Sequence, residues 1–141
     1  SRLAVLTAVA AGAPHSSVDA VVSAVRARLG DGSAQTVYNV LRALTDAGLV
    51  RRIEPAGRPG LYELRVGDNH HHIVCRTCDA IADVNCAVGE TPCLTAPNNS
   101  GYEIDEAEVI FWGRCPDCRA TNVTSGELSE AHNERGADRR V

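Results

Sequence analysis

The chain has 141 residues, 44% of them hydrophobic, enough to bury a core in one medium domain or two small ones. No run approaches the roughly 18 apolar residues of a membrane span, and no charged-then-apolar leader precedes a cleavage site, so a soluble, cytoplasmic protein is expected. The net charge of −4 argues against a nucleic-acid partner only as an average: residues 1–66 carry eight arginines against five acids, and residues 67–141 carry six against thirteen. A basic half joined to an acidic half reads as two modules with different tasks. All 14 basic residues are arginine and methionine is absent, the usage of a GC-rich coding genome; a start upstream of Ser1 is expected.

Leu3, Leu6 and Val9 or Ala10 recur at helical spacing over residues 2–10, until Pro14, His15 and Ser16 break the pattern. Ser16 and Asp19 are spaced as a capping box for a second helix. Its stripe of Val18, Val21, Val22, Val25 and Leu29 stops at Gly30. A third helix is expected from near Ser33, with Val37, Leu41 and Leu44 inward and Gly48 as its stop. VRRIEPAGRPGLYELR, residues 50–65, then reads as two short strands about a Gly/Pro turn. Three short helices and a hairpin are the pattern of a winged helix-turn-helix, expected over residues 1–66. From Gly67 the texture changes. IVC, DAIADV and YEIDEAEVIFWGRC have strand character and PCLTAPNNSG reads as a loop, so a second module is expected over residues 67–120. Residues 121–141 are polar and aperiodic, the signature of a disordered tail.

On the third helix, Gln35, Tyr38, Asn39 and Arg42 fall at i, i+3, i+4 and i+7, opposite the apolar stripe. Arg suits guanine edges or phosphate, Asn and Gln suit adenine, and Tyr suits phosphate or a thymine methyl. Thr36 joins them as a candidate contact. Arg51, Arg52 and Arg58 on the wing would add phosphate contacts, which set affinity and salt dependence rather than sequence. An ordinary solvated face would look the same. The helix–helix–helix–hairpin setting and the local positive charge favour double-stranded DNA.

Cys75-x-x-Cys78 and Cys115-x-x-Cys118 can point four thiolates at one ion, the tetrahedral sulfur shell that suits Zn2+. Such a shell leaves no position open for substrate, so this metal would be structural. Two redox pairs would be the alternative, but no thioredoxin-like setting is visible. Cys86 and Cys93 are left over, open to three readings: small buried side chains, a redox-labile pair, or extra ligands.

In GDNHHHIVCRTCD, strand alternation sends His70 and His72 to one face and His71 to the other. Glu63, Asp83 and the isolated His15 are plausible companions. Three imidazoles and two carboxylates suit Fe2+ or Mn2+ and tolerate Zn2+ or Ni2+. A zinc hydrolase built on these histidines would need an open position and a general base, and no HExxH or comparable motif is present.

SAQTVYNVLRALTDAGLVRR, YELRVGDNHHHIVCRTC and FWGRCPDC together resemble the ferric uptake regulator (Fur) superfamily, over about residues 2–119. GDNHHHIVCRTCDAIADVNCAVGETPCL and DEAEVIFWGRCPDC are most similar to its actinobacterial FurA/CatR branch, which represses catalase-peroxidase genes. The resemblance implies an α+β homodimer, with a winged helix followed by an α/β dimerisation domain whose zinc is held by four cysteines. It puts Cys75, Cys78, Cys115 and Cys118 on the structural zinc site. His15, Glu63, His70, His72 and Asp83 fall on the regulatory site, and Tyr38 and Asn39 on the recognition helix. Asp83 resembles the residue of peroxide-sensing members, where iron-uptake regulators usually carry Glu. The implied function is a metal-dependent, peroxide-responsive repressor of operator DNA, not an enzyme; a regulator of iron, zinc or nickel homeostasis on the same scaffold is the alternative. Two departures stand out. Asp79 replaces the glycine that usually follows the first cysteine pair, and a further surface metal site of the family falls on Asn69, His71, Glu90 and Ala107, where Asn69 and Ala107 are poor ligands.

Overall fold

The computed structural model describes residues 1–86 and 92–121, so Glu90 and all but the first residue of the expected tail lie outside it. Three helices open the chain: α1 (Arg2–Ala11), α2 (Val18–Leu29) and α3 (Ala34–Asp46). In α1 the inward residues are Val5, Ala8 and Val9, whereas Leu3 is 76% exposed. A helix apolar on nearly every side gives periodicity little to choose between: of the expected stripe Val9 is buried and Leu6 packs against the core, while Leu3 and Ala10 face out.

Ser17, not Ser16, caps α2: its Oγ accepts the Ala20 N–H at 3.2 Å. Ser16 is buried and donates to the Ala13 carbonyl at 3.0 Å. The expected Ser16–Asp19 box does not form because Ser16 is held one position outside it, in a two-residue strand, β1 (Ser16–Ser17). Gly30 ends α2 at φ +77°, its N–H on the Arg26 carbonyl at 2.9 Å. Ser33 caps α3 through the Thr36 N–H at 3.0 Å. At the other end Gly48 (φ +68°) donates to Thr45 and Leu49 donates to Leu44, the paired bonds of a Schellman stop.

Val5, Val21, Val25, Val37, Leu41 and Val50 close one core under the three helices. The wing covers it with β2 (Arg51–Ile53) and β3 (Leu61–Glu63). β3 is central, antiparallel to β1 on one edge and β2 on the other, and carries the buried Tyr62 into the core.

The second module is a three-stranded sheet in the order β5-β4-β6, with β4 (His70–Cys75) in the middle. β5 (Ile81–Asn85) runs antiparallel to it and β6 (Ile110–Gly113) parallel. The long strand expected over YEIDEAEVIFWGRC is thus confined to its last few residues. Residues 102–109 hold no strand, and Tyr102 is 74% exposed. Acidic and apolar residues intermix here, with the period of two broken at the adjacent Asp105 and Glu106, and this segment meets no partner strand among the described residues. A helical turn over 116–121 starts just after Cys115 and carries Cys118. Among the described residues, no helix is long and apolar enough to cross a membrane.

Leu41 is fully buried at the centre of the three-helix core. Leu41→Ala is expected to lower stability by roughly 2–5 kcal/mol, read as a lower urea midpoint at unchanged slope.

Candidate metal centres

The parallel pairing of β4 with β6 sets Cys75 opposite Gly113, so Cys115 follows two residues beyond the register. The Arg76 N–H on the Gly113 carbonyl (2.8 Å) and the Asp79 N–H on the Cys75 carbonyl (3.0 Å) hold both knuckles. The Sγ atoms of Cys75, Cys78, Cys115 and Cys118 all lie within 4.8 Å of one another, with no disulfide among them. Cys78 and Cys115 are 3.6 Å apart, close to the edge of about 3.8 Å that a tetrahedron with zinc–sulfur bonds of about 2.3 Å requires. The Cys115 amide, 3.3 Å from Cys75 Sγ, is the main cause that lowers the Cys75 thiol to about 6. Proton sharing with Cys115 and Cys78 pushes Cys118 up to about 12. Four crowded thiols cannot all ionise unaided, and a dication bound by all four removes that conflict. The donor set fits zinc.

Asp79, at the position of the expected glycine, adopts φ +62°. Its carboxylate is ion-paired with Arg58 of the wing, whose guanidinium also lies 4.7 Å from the Trp112 ring centroid. The turn thus keeps left-handed geometry without glycine, and the side chain gained there ties the knuckle to the wing.

A second cluster lies where the two modules meet. His15 comes from the segment before β1, Glu63 from the end of β3, His72 from β4, and Asp83 from β5. One ligand atom from each lies within 4.8 Å of the others. The pairing of His72 with Asp83 across β4 and β5 puts both on one face. His15 Nε2 is 2.8 Å from Asp83 Oδ1 and 3.3 Å from Glu63 Oε2, and His72 Nε2 is 3.6 and 3.5 Å from the same two oxygens. His70 stands at the edge of this group. Its Nε2 meets the other Glu63 oxygen at 3.0 Å, while its Nδ1 is 2.6 Å from Asp68. Asp68 escaped the sequence reading, although a carboxylate two residues before a candidate ligand histidine is a recognisable partner that fixes the ring.

Burial pushes the Glu63 carboxyl up, but the His15 and His72 imidazoles overcome it and, with the charges of His70 and His72, hold it at about 2. Glu63 in turn, more than burial opposes and with help from Asp83, raises the His15 pKa. Yet His15 Nε2 and His72 Nδ1 are buried without a hydrogen bond of proper geometry. His15 Nε2, which faces an oxygen of Glu63 and one of Asp83 without a well-formed hydrogen bond to either, is placed as a ligand would be. The nitrogen and oxygen donors, free of thiolate, fit Fe2+ or Mn2+.

The profile described as the Ferric uptake regulator family matches residues 1–112. The chain belongs to the ferric uptake regulator family. Its Fur relatives include the "Transcriptional regulator FurA" of Mycobacterium tuberculosis, 59% identical over 123 residues, or 87% of this chain and 83% of that protein. The "Ferric uptake regulation protein 1" of Mycolicibacterium fortuitum is 56% identical over 135 residues, or 96% of this chain and 83% of that one. These relatives are named as regulators, not enzymes. Among solved structures, the ferric uptake regulator from Francisella tularensis with iron is 25% identical, covers 84% of this chain and 90% of its own, and superposes with a TM-score of 0.64.

On α3, Gln35, Thr36, Tyr38, Asn39 and Arg42 are all exposed. Gln35, Tyr38, Asn39 and Arg42 line an open depression of about 570 Å³ together with Arg52 and Tyr62 of the wing. The other two wing arginines turn away. Arg51 reaches Glu106 at 3.2 Å and the His70 carbonyl at 3.4 Å, and Arg58 is held by Asp79 and Trp112. Cys86 and Cys93 gather with His71 on the opposite face of β4 from His70 and His72.

Cys115→Ser is expected to cut bound zinc from about one per chain to near zero and to lower stability by roughly 3 kcal/mol or more, checked by elemental analysis and thermal unfolding. His15→Ala should leave that zinc in place while weakening Mn2+ binding by roughly 100-fold or more, measured by calorimetry on the zinc-loaded protein.

Proposed function

We propose that this Fur chain is a metal-dependent, peroxide-responsive repressor that binds operator DNA as a homodimer in the cytoplasm and controls a catalase-peroxidase gene. On this reading residues 1–66 are the DNA-binding domain and residues 67–120 the dimerisation and metal domain. The observation that carries it is the convergence of His15 and Glu63 from the first module with His72 and Asp83 from the second. Ligands drawn from two modules make their relative pose depend on the ion they share. His15, Glu63, His72 and Asp83, with His70 beside them, would hold Fe2+ or Mn2+, and Cys75, Cys78, Cys115 and Cys118 a structural Zn2+.

Iron(II) held there supplies the one-electron chemistry that breaks a peroxide bond. The buried rings of His15 and His72, already pressed against the carboxylates, are the side chains positioned to be oxidised. A modified ring is a poorer ligand, and its loss would uncouple the modules. DNA would be met by Gln35, Thr36, Tyr38, Asn39 and Arg42 of α3, with Arg52 on the backbone. Coupling is reciprocal: an ion that tightens DNA binding is itself tightened by DNA to the same extent. Two-fold symmetry of the dimer calls for a pseudo-palindromic operator.

Fluorescence anisotropy on the DNA upstream of the protein's own gene tests this, run anaerobically with the zinc-loaded protein. Mn2+ and Fe2+ should each tighten binding by roughly 5- to 150-fold, and peroxide should abolish the gain in the Fe2+ form alone. Peroxide-insensitive binding driven by one metal would instead make the chain a regulator of that metal's homeostasis.

A further inference from the structure

We propose that Cys86 and Cys93 are a redox pair that closes to a disulfide when the protein meets a peroxide, with no need of iron. One atom each of His71, Cys86 and Cys93 lie within 4.8 Å of one another, apart from both centres described above. Three such donors invite a metal, but the hydrogen bonds of His71 argue otherwise. The Val109 N–H donates to His71 Nδ1 at 3.3 Å. A ring nitrogen that accepts an amide proton carries none itself, so the neutral imidazole holds its proton on Nε2. That nitrogen faces Cys93 Sγ at 3.1 Å. It is therefore a donor to the sulfur, not a lone pair for an ion.

The two sulfurs are also placed for each other. Both cysteines are half-buried, within reach of a molecule as small as a peroxide. Cys86 is anchored at the end of β5 by its N–H on the Asn69 carbonyl, at 3.2 Å. Cys93 lies in a stretch, residues 92–109, without helix or strand, held there by contacts of its sulfur to His71 and, at 3.9 Å, to the Ala107 carbonyl. A side chain tethered mainly by its own sulfur can travel the few ångströms to a bond of about 2.05 Å. The other four cysteines saturate their own cluster.

The chemistry closes on itself. The Cys93 sulfur attacks one peroxide oxygen, the O–O bond breaks, and the departing hydroxide takes the thiol proton to leave as water. The Cys86 sulfur then attacks the sulfenic sulfur, the S–O bond breaks, and a second water departs as the S–S bond forms. Two thiols give up two electrons in all, and one hydrogen peroxide becomes two waters. The movement withdraws Cys93 from His71, leaving a buried ring N–H without its partner near the start of β4, between His70 and His72. This link to the regulatory centre rests on the function proposed above; the disulfide itself does not.

The test uses zinc-loaded protein with Mn2+ added, so that iron chemistry is silent. After hydrogen peroxide, remaining thiols are alkylated and the protein is cleaved after glutamate, which separates the two cysteines at Glu90. The expected product is a disulfide joining the Cys86 and Cys93 peptides, with zinc retained. Cys86→Ser should stop the reaction at a dimedone-reactive Cys93, and Cys93→Ser should slow oxidation of Cys86 at least tenfold. Full alkylation of both cysteines after excess peroxide would overturn the proposal. So would a further equivalent of bound zinc or Cu(I) that Cys93→Ser abolishes, because the cluster would then be a metal site. If the double variant C86S/C93S still loses DNA in its iron form on peroxide, the iron-centred function stands whatever the fate of the pair.

Discussion

Glu63 is a carboxylate sealed at 1% exposure at the end of the wing's central strand, and the relation between the modules is arranged around it. An unpaired buried carboxylate would cost several kcal/mol. Here His15, on the approach to β1, supplies a partner from the same module, and His70 and His72 supply partners from β4. β1 is only two residues long, yet its pairing to β3 is what brings His15 alongside Glu63. The second sheet reaches the same carboxylate because His70 and His72 share one face of β4. Partners from both modules, Arg51 among them at 4.0 Å, thus converge on Glu63. Protonated imidazoles and a divalent ion are interchangeable sources of the positive charge it needs, so protons and metal compete for one constellation.

The features legible in the sequence are those whose causes are local. The stops at Gly30 and Gly48 and the cap at Ser33 depend on a few adjacent residues, and each element ends where its residues say. The two C-x-x-C pairs are visible because each knuckle is four residues long. The grouping of His15, Glu63, His72 and Asp83 spans 69 positions of chain, His15 to Asp83, and came from family resemblance as much as from residue type. What stayed illegible depends on partners remote in sequence. Whether Ser16 or Ser17 caps α2 depends on where the chain leaves β1 for the helix, and β1 exists only through its pairing with Leu61 and Tyr62 of β3. Whether residues 102–109 form a strand depends on a neighbour that alternation cannot reveal. The direction of the His71 proton is set by a backbone amide 38 residues away.

The charge asymmetry between the two halves has a double use. The basic first module suits a phosphate backbone, but three of its arginines are spent on the acidic second module. Arg51 meets Glu106 and Glu108, Arg58 meets Asp79, and Arg65 meets Asp83. Carboxylates of this chain and phosphates of a nucleic acid would therefore contend for the same cations. Arg52 stands outside that contest, paired with its near neighbour Glu54 at the rim of the α3 depression. Arg58 is the most committed, stacked on Trp112 and bound to the one aspartate that stands where a glycine is expected. A substitution that costs the turn its easiest residue has thus placed a negative charge against the wing. The pose of the wing is set from two ends, by the partners of Glu63 at the base of β3 and by Asp79 at the tip, so an ion bound among His15, Glu63, His72 and Asp83 would act on a hairpin that is held at both.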